Sequence, residues 1–132
     1  MKKILIIDDD LRHDKMMSYL LLSKGFEAAY ALSGEEALEK LKSGEIEMPE
    51  VMLIDIMMPG LNGFETLKEM QNSLNMSKTK VMVVSAVGES AERDPAAASL
   101  DIDDYVEKPF SPADIIARIN KTLGVEEDEE SK

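Results

Sequence analysis

Short apolar runs alternate along the chain with stretches whose apolar residues recur at helical spacing. Ile4–Ile7 is too short for a helix and rich in β-branched residues, so it predicts a buried strand. From about Leu11 to Lys24, Met16, Met17, Leu20 and Leu21 keep a helical rhythm that Gly25 ends. Glu27–Ala31 is a weaker strand candidate. Ser33 with Glu36 three residues on has the form of a capping box, and it opens a helix through Ala37, Leu38 and Leu41 that Gly44 stops. Val51–Ile54 is a second continuous apolar run, ended by Asp55. A loop, Met58 to Gly63, leads to a third helix marked by Phe64, Leu67, Met70 and Leu74. Val81–Val84 is a further buried strand, ending at Ser85. Residues 88–100 have a helical rhythm but are poor helix formers. Tyr105-Val106 is a short strand, and Ser111, Pro112 and Asp114 open a last helix with Ile115, Ile116 and Ile119 on its apolar face.

Five strand–helix units result. Strands that are apolar throughout are buried on both faces, which requires a parallel sheet covered by helices on each side. The predicted class is α/β, doubly wound, with right-handed crossovers. The length of 132 residues fits one domain, expected over residues 1–124.

Composition narrows the function. The 27 acidic and 15 basic residues leave a net charge of −12. That excludes nucleic acid as a partner of this domain, because phosphate backbones need a cationic footprint. Five acids and one lysine of that balance fall after Val125, and residues 125–132 are expected to form an acidic, disordered tail. There is no cysteine, which excludes disulfides, thiol chemistry and Cys-ligated zinc. One histidine, His13, precludes a multi-histidine centre; early in the first helix, it is expected to be exposed and without a catalytic role. The first apolar run is shorter than the roughly 7–15 residues of a signal peptide. No stretch approaches the ~20 residues of a membrane span. The expected compartment is the cytoplasm, with no membrane insertion.

In open α/β sheets, ligands bind beyond the carboxyl ends of the strands. Asp8, Asp9 and Asp10 follow the first strand, Asp55 the third, Ser85 the fourth and Lys108 the last. Parallel strands would bring these groups to one edge. Clustered carboxylates repel, and a hard divalent cation such as Mg²⁺ relieves them. A metal-filled acidic pocket with a lysine and a hydroxyl suits phosphoryl chemistry, with one carboxylate as nucleophile. Asp55 fits that role best, because it ends a central strand. Asp10 reads as a helix cap rather than a ligand.

These residues carry a resemblance. Ile6-Ile7-Asp8-Asp9, Leu53-Ile54-Asp55-Ile56-Met57-Met58-Pro59, Gly63, Val84-Ser85-Ala86 and Tyr105-Val106-Glu107-Lys108-Pro109-Phe110 resemble the receiver domains of two-component response regulators, in the family's order and over nearly the whole chain. The resemblance implies a flavodoxin-like, CheY-like sheet of order 2-1-3-4-5; the chemotaxis receiver is a standard example of it. It implies that Asp55 accepts phosphoryl from a sensor kinase phosphohistidine or a phosphotransfer protein. Asp8, Asp9, Asp55 and the Met57 backbone carbonyl would hold Mg²⁺, with Asp8 acting largely through water. Ser85 and Lys108 would contact the phosphoryl group, the bond before Pro109 would be cis, and Tyr105 would turn inward with Ser85 as a switch. An output protein, not identifiable from the sequence, would read the change.

Three positions depart from the family's pattern. Asp101-Ile102 replace a usual Gly-Ala, so that turn must be built differently. Asp94-Pro95 falls inside the expected fourth helix, which is expected to be shortened, kinked or started at Pro95. Met57 places an apolar side chain beside the phosphoryl position, where it would not orient a water. Met16, Met17, Met57 and Met58 are otherwise expected in the core or lining the site. With no output domain after the last helix, the chain is expected to act alone or to be a receiver excised from a longer protein. Two other readings are a Mg²⁺-dependent aspartyl-phosphate phosphatase, for which Asp8-Asp9-Asp10 offers an Asp-x-Asp pair, and a non-phosphorylated scaffold of the same fold.

Overall fold

The computed structural model describes residues 1–125; the acidic tail expected at 125–132 lies, beyond Val125, outside the described residues. Five strands, β1 (Lys3–Ile7), β2 (Glu27–Ala31), β3 (Val51–Asp55), β4 (Lys80–Ser85) and β5 (Asp104–Glu107), form one sheet in the order β2-β1-β3-β4-β5. Every pairing is parallel. Helices α1 (Leu11–Ser23), α2 (Gly34–Ser43), α3 (Gly63–Ser73) and α4 (Pro112–Leu123) flank the sheet, with 3₁₀ turns between β4 and β5.

Alternate residues of each strand feed two cores. Leu5, Ile7, Met52, Ile54, Val81 and Val83 face Leu38 and Leu41 of α2 and Phe64, Leu67 and Met70 of α3. Ile4, Ile6, Leu53, Met82, Val84 and Val106 face Met17 and Leu21 of α1 and Ile115, Ile116 and Ile119 of α4. Each fully buried Ile or Leu contributes roughly 1.5–3 kcal/mol, and this two-sided burial holds β3 at the centre of the sheet.

Local chemistry sets the helix ends. Asp10 caps α1, accepting from the amides of Arg12 (3.0 Å) and His13 (3.3 Å). Ser111 caps α4 through the Asp114 amide at 3.0 Å. Ser33 caps α2 through the Glu36 amide, but the Glu36 carboxylate accepts from Leu32 rather than closing the box on Ser33. The reciprocal box is instead at Asn62 and Glu65, opening α3 at 2.9 Å in both directions.

The stretch with helical rhythm at 88–100 is not an α-helix. It forms 3₁₀ turns at Gly88–Arg93 and Pro95–Ala97. Asp94 between them is extended (φ −64°, ψ 128°), because the ring of a following proline disfavours the α region. Its carboxylate accepts from Ala96 at 2.9 Å. The turn without the usual Gly-Ala is built on Asp103, whose amide donates to the Val81 carbonyl and whose carboxylate accepts from the Val81 amide, each at 2.8 Å.

Candidate functional site

Parallel register brings Asp8, Asp55, Ser85 and Lys108 to the carboxyl edge of the sheet. Asp8 follows β1, Asp55 ends β3, Ser85 ends β4, and Lys108 follows β5. Ser85 pairs with Glu107, and the Lys108 amide donates to the Ser85 carbonyl at 2.8 Å. The Lys108–Pro109 peptide is cis.

Lys108 Nζ lies 2.9 Å from Asp8 Oδ2 and 3.0 Å from Asp55 Oδ2. Both carboxylates are buried, and Asp9 beside them is exposed. One carboxylate oxygen from each of Asp8, Asp9 and Asp55 falls within 4.8 Å of the others. Three carboxylates against one ammonium leave two negative charges uncompensated, the charge of one divalent cation. The donors are all oxygens, which fits the hard-ligand preference of Mg²⁺, and the exposed Asp9 leaves a side open to water, which Mg²⁺ tends to retain.

The fields within the cluster agree with this layout. Burial alone would raise the Asp8 carboxyl, but the His13 imidazole, the Lys108 ammonium and the Asp10 amide hold it well below the usual carboxylate range. Burial opposes the charge of Lys108, yet Asp8 and Asp55 overcome this and raise its pKa. Asp55 Oδ1 accepts from the Met57 amide at 3.0 Å, which fixes that carboxylate from its own loop. Gly63 makes that loop possible. A Cβ there would meet the Asp55 carbonyl oxygen at 2.5 Å and the Ile56 Cα at 2.8 Å, so α3 starts against the end of β3 only with glycine.

Ser85 is buried, and its Oγ accepts from the Val87 amide at 3.1 Å. Tyr105 is half-buried against the α2–α3 core, and its carbonyl accepts from Arg118 of α4 at 2.9 Å. Burial, with the Glu92 charge, raises the Tyr105 phenol above its ordinary value. The Met57 side chain is 75% exposed, as Met16 is exposed on α1, so neither belongs to the core; Met17 and Met58 do.

His13 and Asp14 are the residues that sequence reasoning missed. His13 is not on an open face. It lies against Phe110, with ring centroids 5.8 Å apart, and its Nδ1 stands 3.1 Å from Asp8 Oδ2. His13 is the third residue of α1, five positions after Asp8, and the start of the helix brings its ring to that carboxylate. Asp14 is fully buried, and burial together with the neighbouring Asp8 charge pushes its carboxyl up to about 7. An acid in the first turn of a helix ordinarily reads as a surface residue favoured by the dipole. Asp10, meanwhile, is occupied as the α1 cap.

The same arrangement identifies the family. The model of the response regulator receiver domain matches residues 4–120. The chain belongs to that family. The receiver is 41% identical over 123 residues to a CpxR-homologue transcriptional regulatory protein of Haemophilus influenzae, covering 93% of this chain and 51% of that protein. It is 34% identical to the alkaline phosphatase synthesis transcriptional regulatory protein PhoP of Bacillus subtilis, covering 92% and 48%. The chain thus spans about half the length of these relatives. The receiver domain of a Francisella response regulator superposes with a TM-score of 0.77 at 30% identity, covering 92% and 96% of the two chains. The response regulator TrrA of Thermotoga maritima, solved in complex with Mg²⁺-BeF, superposes with a TM-score of 0.76 at 28% identity, covering 92% and 99%. Among the described residues, no helix of the receiver is long and apolar enough to cross a membrane.

Proposed function

We propose that this receiver is the phosphoacceptor of a two-component relay. The observation that carries the reading is the meeting of Lys108 with Asp55 and Asp8 in one acidic cluster that Asp9 completes. Asp55 is the nucleophile. Its carboxylate oxygen attacks the phosphorus of a phosphohistidine on a sensor kinase or phosphotransfer protein. The P–N bond breaks, the imidazole leaves and takes a proton from solvent, and an acyl phosphate remains on Asp55. The residues that would hold Mg²⁺ are Asp9 directly, Asp8 largely through water, Asp55 and the Met57 carbonyl. When bound, the ion would offset the charge on the phosphoryl oxygens. The Mg²⁺-bound neighbour supports that assignment by its likeness to this chain.

Lys108 pairs with a phosphoryl oxygen in place of a carboxylate. Ser85 turns from the Val87 amide to donate its hydroxyl to a second oxygen. Tyr105 follows inward, and the surface formed by β5, α4 and the 3₁₀ turns changes its affinity for an output partner. This is a local charge change biasing a two-state element. The domain does not turn over a substrate; it assists only its own phosphorylation and dephosphorylation, in the cytoplasm. The relatives named as transcriptional regulators favour transcription as the output. Nucleic acid therefore returns as a target of the pathway, while the acidic receiver surface remains a poor phosphate binder.

The test is intact mass after incubation with Mg²⁺ and acetyl phosphate, with Asp55→Asn alongside. One phosphoryl group on the parent alone is expected. Uptake by both proteins would move the acceptor to another site such as Asp8 and overturn the assignment.

A further inference from the structure

Asp14 has both carboxylate oxygens buried and without a hydrogen-bond partner among the described residues; His13 Nδ1 is buried too, and faces Asp8 Oδ2 at 3.1 Å without the alignment of a hydrogen bond. Asp14 has no exposed surface at all. A buried carboxylate left without a donor is costly, and native structures rarely leave one unexplained. These atoms converge with Asp8, whose own oxygens accept from the Asp10 amide and from Lys108. Asp8, His13 and Asp14 each place one ligand atom within 4.8 Å of the others. The separation of His13 Nδ1 from Asp8 Oδ2, 3.1 Å, is near the edge of a coordination polyhedron whose bonds are about 2.0–2.2 Å long.

We propose that Asp8, His13 and Asp14 form a second cation site, inboard of the Asp8–Asp9–Asp55 cluster, that takes a zinc-class divalent ion. The donor set selects the metal. One imidazole nitrogen with two carboxylate oxygens suits Zn²⁺ and its transition-metal neighbours, whereas Mg²⁺ takes oxygen ligands. Three protein ligands leave a further position for water. Nothing in this assignment depends on Asp55 accepting phosphoryl. Because Asp8 belongs to both clusters, occupancy of either site alters the affinity of the other by the same factor.

The test is titration of the intact protein with Zn²⁺ in excess Mg²⁺, read by calorimetry and by the ¹⁵N resonances of the imidazole. His13 is the sole histidine, so any imidazole signal reports this site. One Zn²⁺ per chain, a shift of the Nδ1 resonance, at least tenfold weaker binding in Asp14→Asn, and retention in Asp9→Asn are expected. Absence of Zn²⁺ binding, or binding that leaves the His13 ring unmoved, would overturn the site without requiring any variant to fold. Binding lost in Asp9→Asn but kept in Asp14→Asn would place the ion in the outer cluster and overturn the inner site equally. Failure of phosphoryl uptake on Asp55 would leave all these outcomes unchanged, so the two readings fail separately.

Discussion

Lys108 and Asp55 are 53 residues apart in the chain, and their side chains meet at 3.0 Å, Nζ to Oδ2. Lys108 bridges Asp55 to Asp8, so a single ammonium occupies the place where cationic charge is needed in the cluster.

Removing that ammonium should expose the repulsion it screens. Lys108→Met leaves two buried carboxylates facing each other and is expected to cost about 1–2 kcal/mol in Mg²⁺-free buffer, less than a fully buried pair because Lys108 is partly exposed. Saturating Mg²⁺ should then stabilise the variant more than the parent, since the ion enters without displacing a lysine from its carboxylates. Urea midpoints with and without Mg²⁺ measure both effects. Equal Mg²⁺ stabilisation of the two proteins would mean that Lys108 does not contest the acidic cluster.

Gly63→Ala tests how closely the loop after Asp55 is built. The added methyl would sit 2.5 Å from the Asp55 carbonyl oxygen, a contact with backbone that no rotamer change relieves. A loss of about 1–3 kcal/mol is expected, together with slower phosphoryl uptake, because the end of β3 must shift. Gly44→Ala meets nothing within 4 Å, although its φ of +82° also disfavours a side chain. It should cost only about 1 kcal/mol and leave uptake unchanged. Denaturation midpoints and intact-mass time courses on both variants make the comparison.

Much of this geometry was legible because it rests on period and on strand ends. Ile4–Ile7, Val51–Ile54 and Val81–Val84 announce themselves as strands by continuous apolarity. Once strands are parallel, the residues after them must share an edge, which is how Asp8, Asp55, Ser85 and Lys108 come together. Asp14 was hidden for a different reason. It stands three residues before Met17 and seven before Leu21, on the face of α1 that is buried, but a carboxylate in a first helical turn reads as a surface residue and masks that spacing. His13 was hidden likewise, held between Asp8 and Phe110, residues of two distant segments. The helical rhythm at 88–100 misled because apolar spacing is shared by 3₁₀ turns and α-helices, and Pro95 decided between them.

Pro95→Ala addresses that decision. Proline keeps Asp94 out of the α region, and the alanines that follow, Ala96 to Ala98, are strong helix formers. With the ring gone, the two turns are free to merge. Ellipticity at 222 nm should become more negative, and amide exchange between residues 90 and 98 should slow. Unchanged exchange there would mean that packing against β5, and not the proline, imposes the 3₁₀ geometry.

The buried acid makes its own pH signature. With its carboxyl pushed up to about 7 from an ordinary 3.8, Asp14 is protonated in the folded protein and ionised in the unfolded chain across that interval. The folded state then binds the extra proton, so stability falls as pH rises, by at most about 1.4 kcal/mol per pH unit, and levels off above the folded value. Asp8 works in the opposite direction and in a different window. Its depressed carboxyl contributes stability that is present above its unfolded pKa and lost in stronger acid. Between pH 5 and pH 7 the slope should therefore carry the sign set by Asp14. Asp14→Asn keeps the volume and removes the titration, so it should flatten that slope and make the variant more stable than the parent at pH 7.5, on the order of a few kcal/mol. Urea midpoints across the range in metal-free buffer measure it. A parent that gains stability from pH 5 to pH 7, or a variant with the parent's slope, would mean that Asp14 is ionised in the fold throughout.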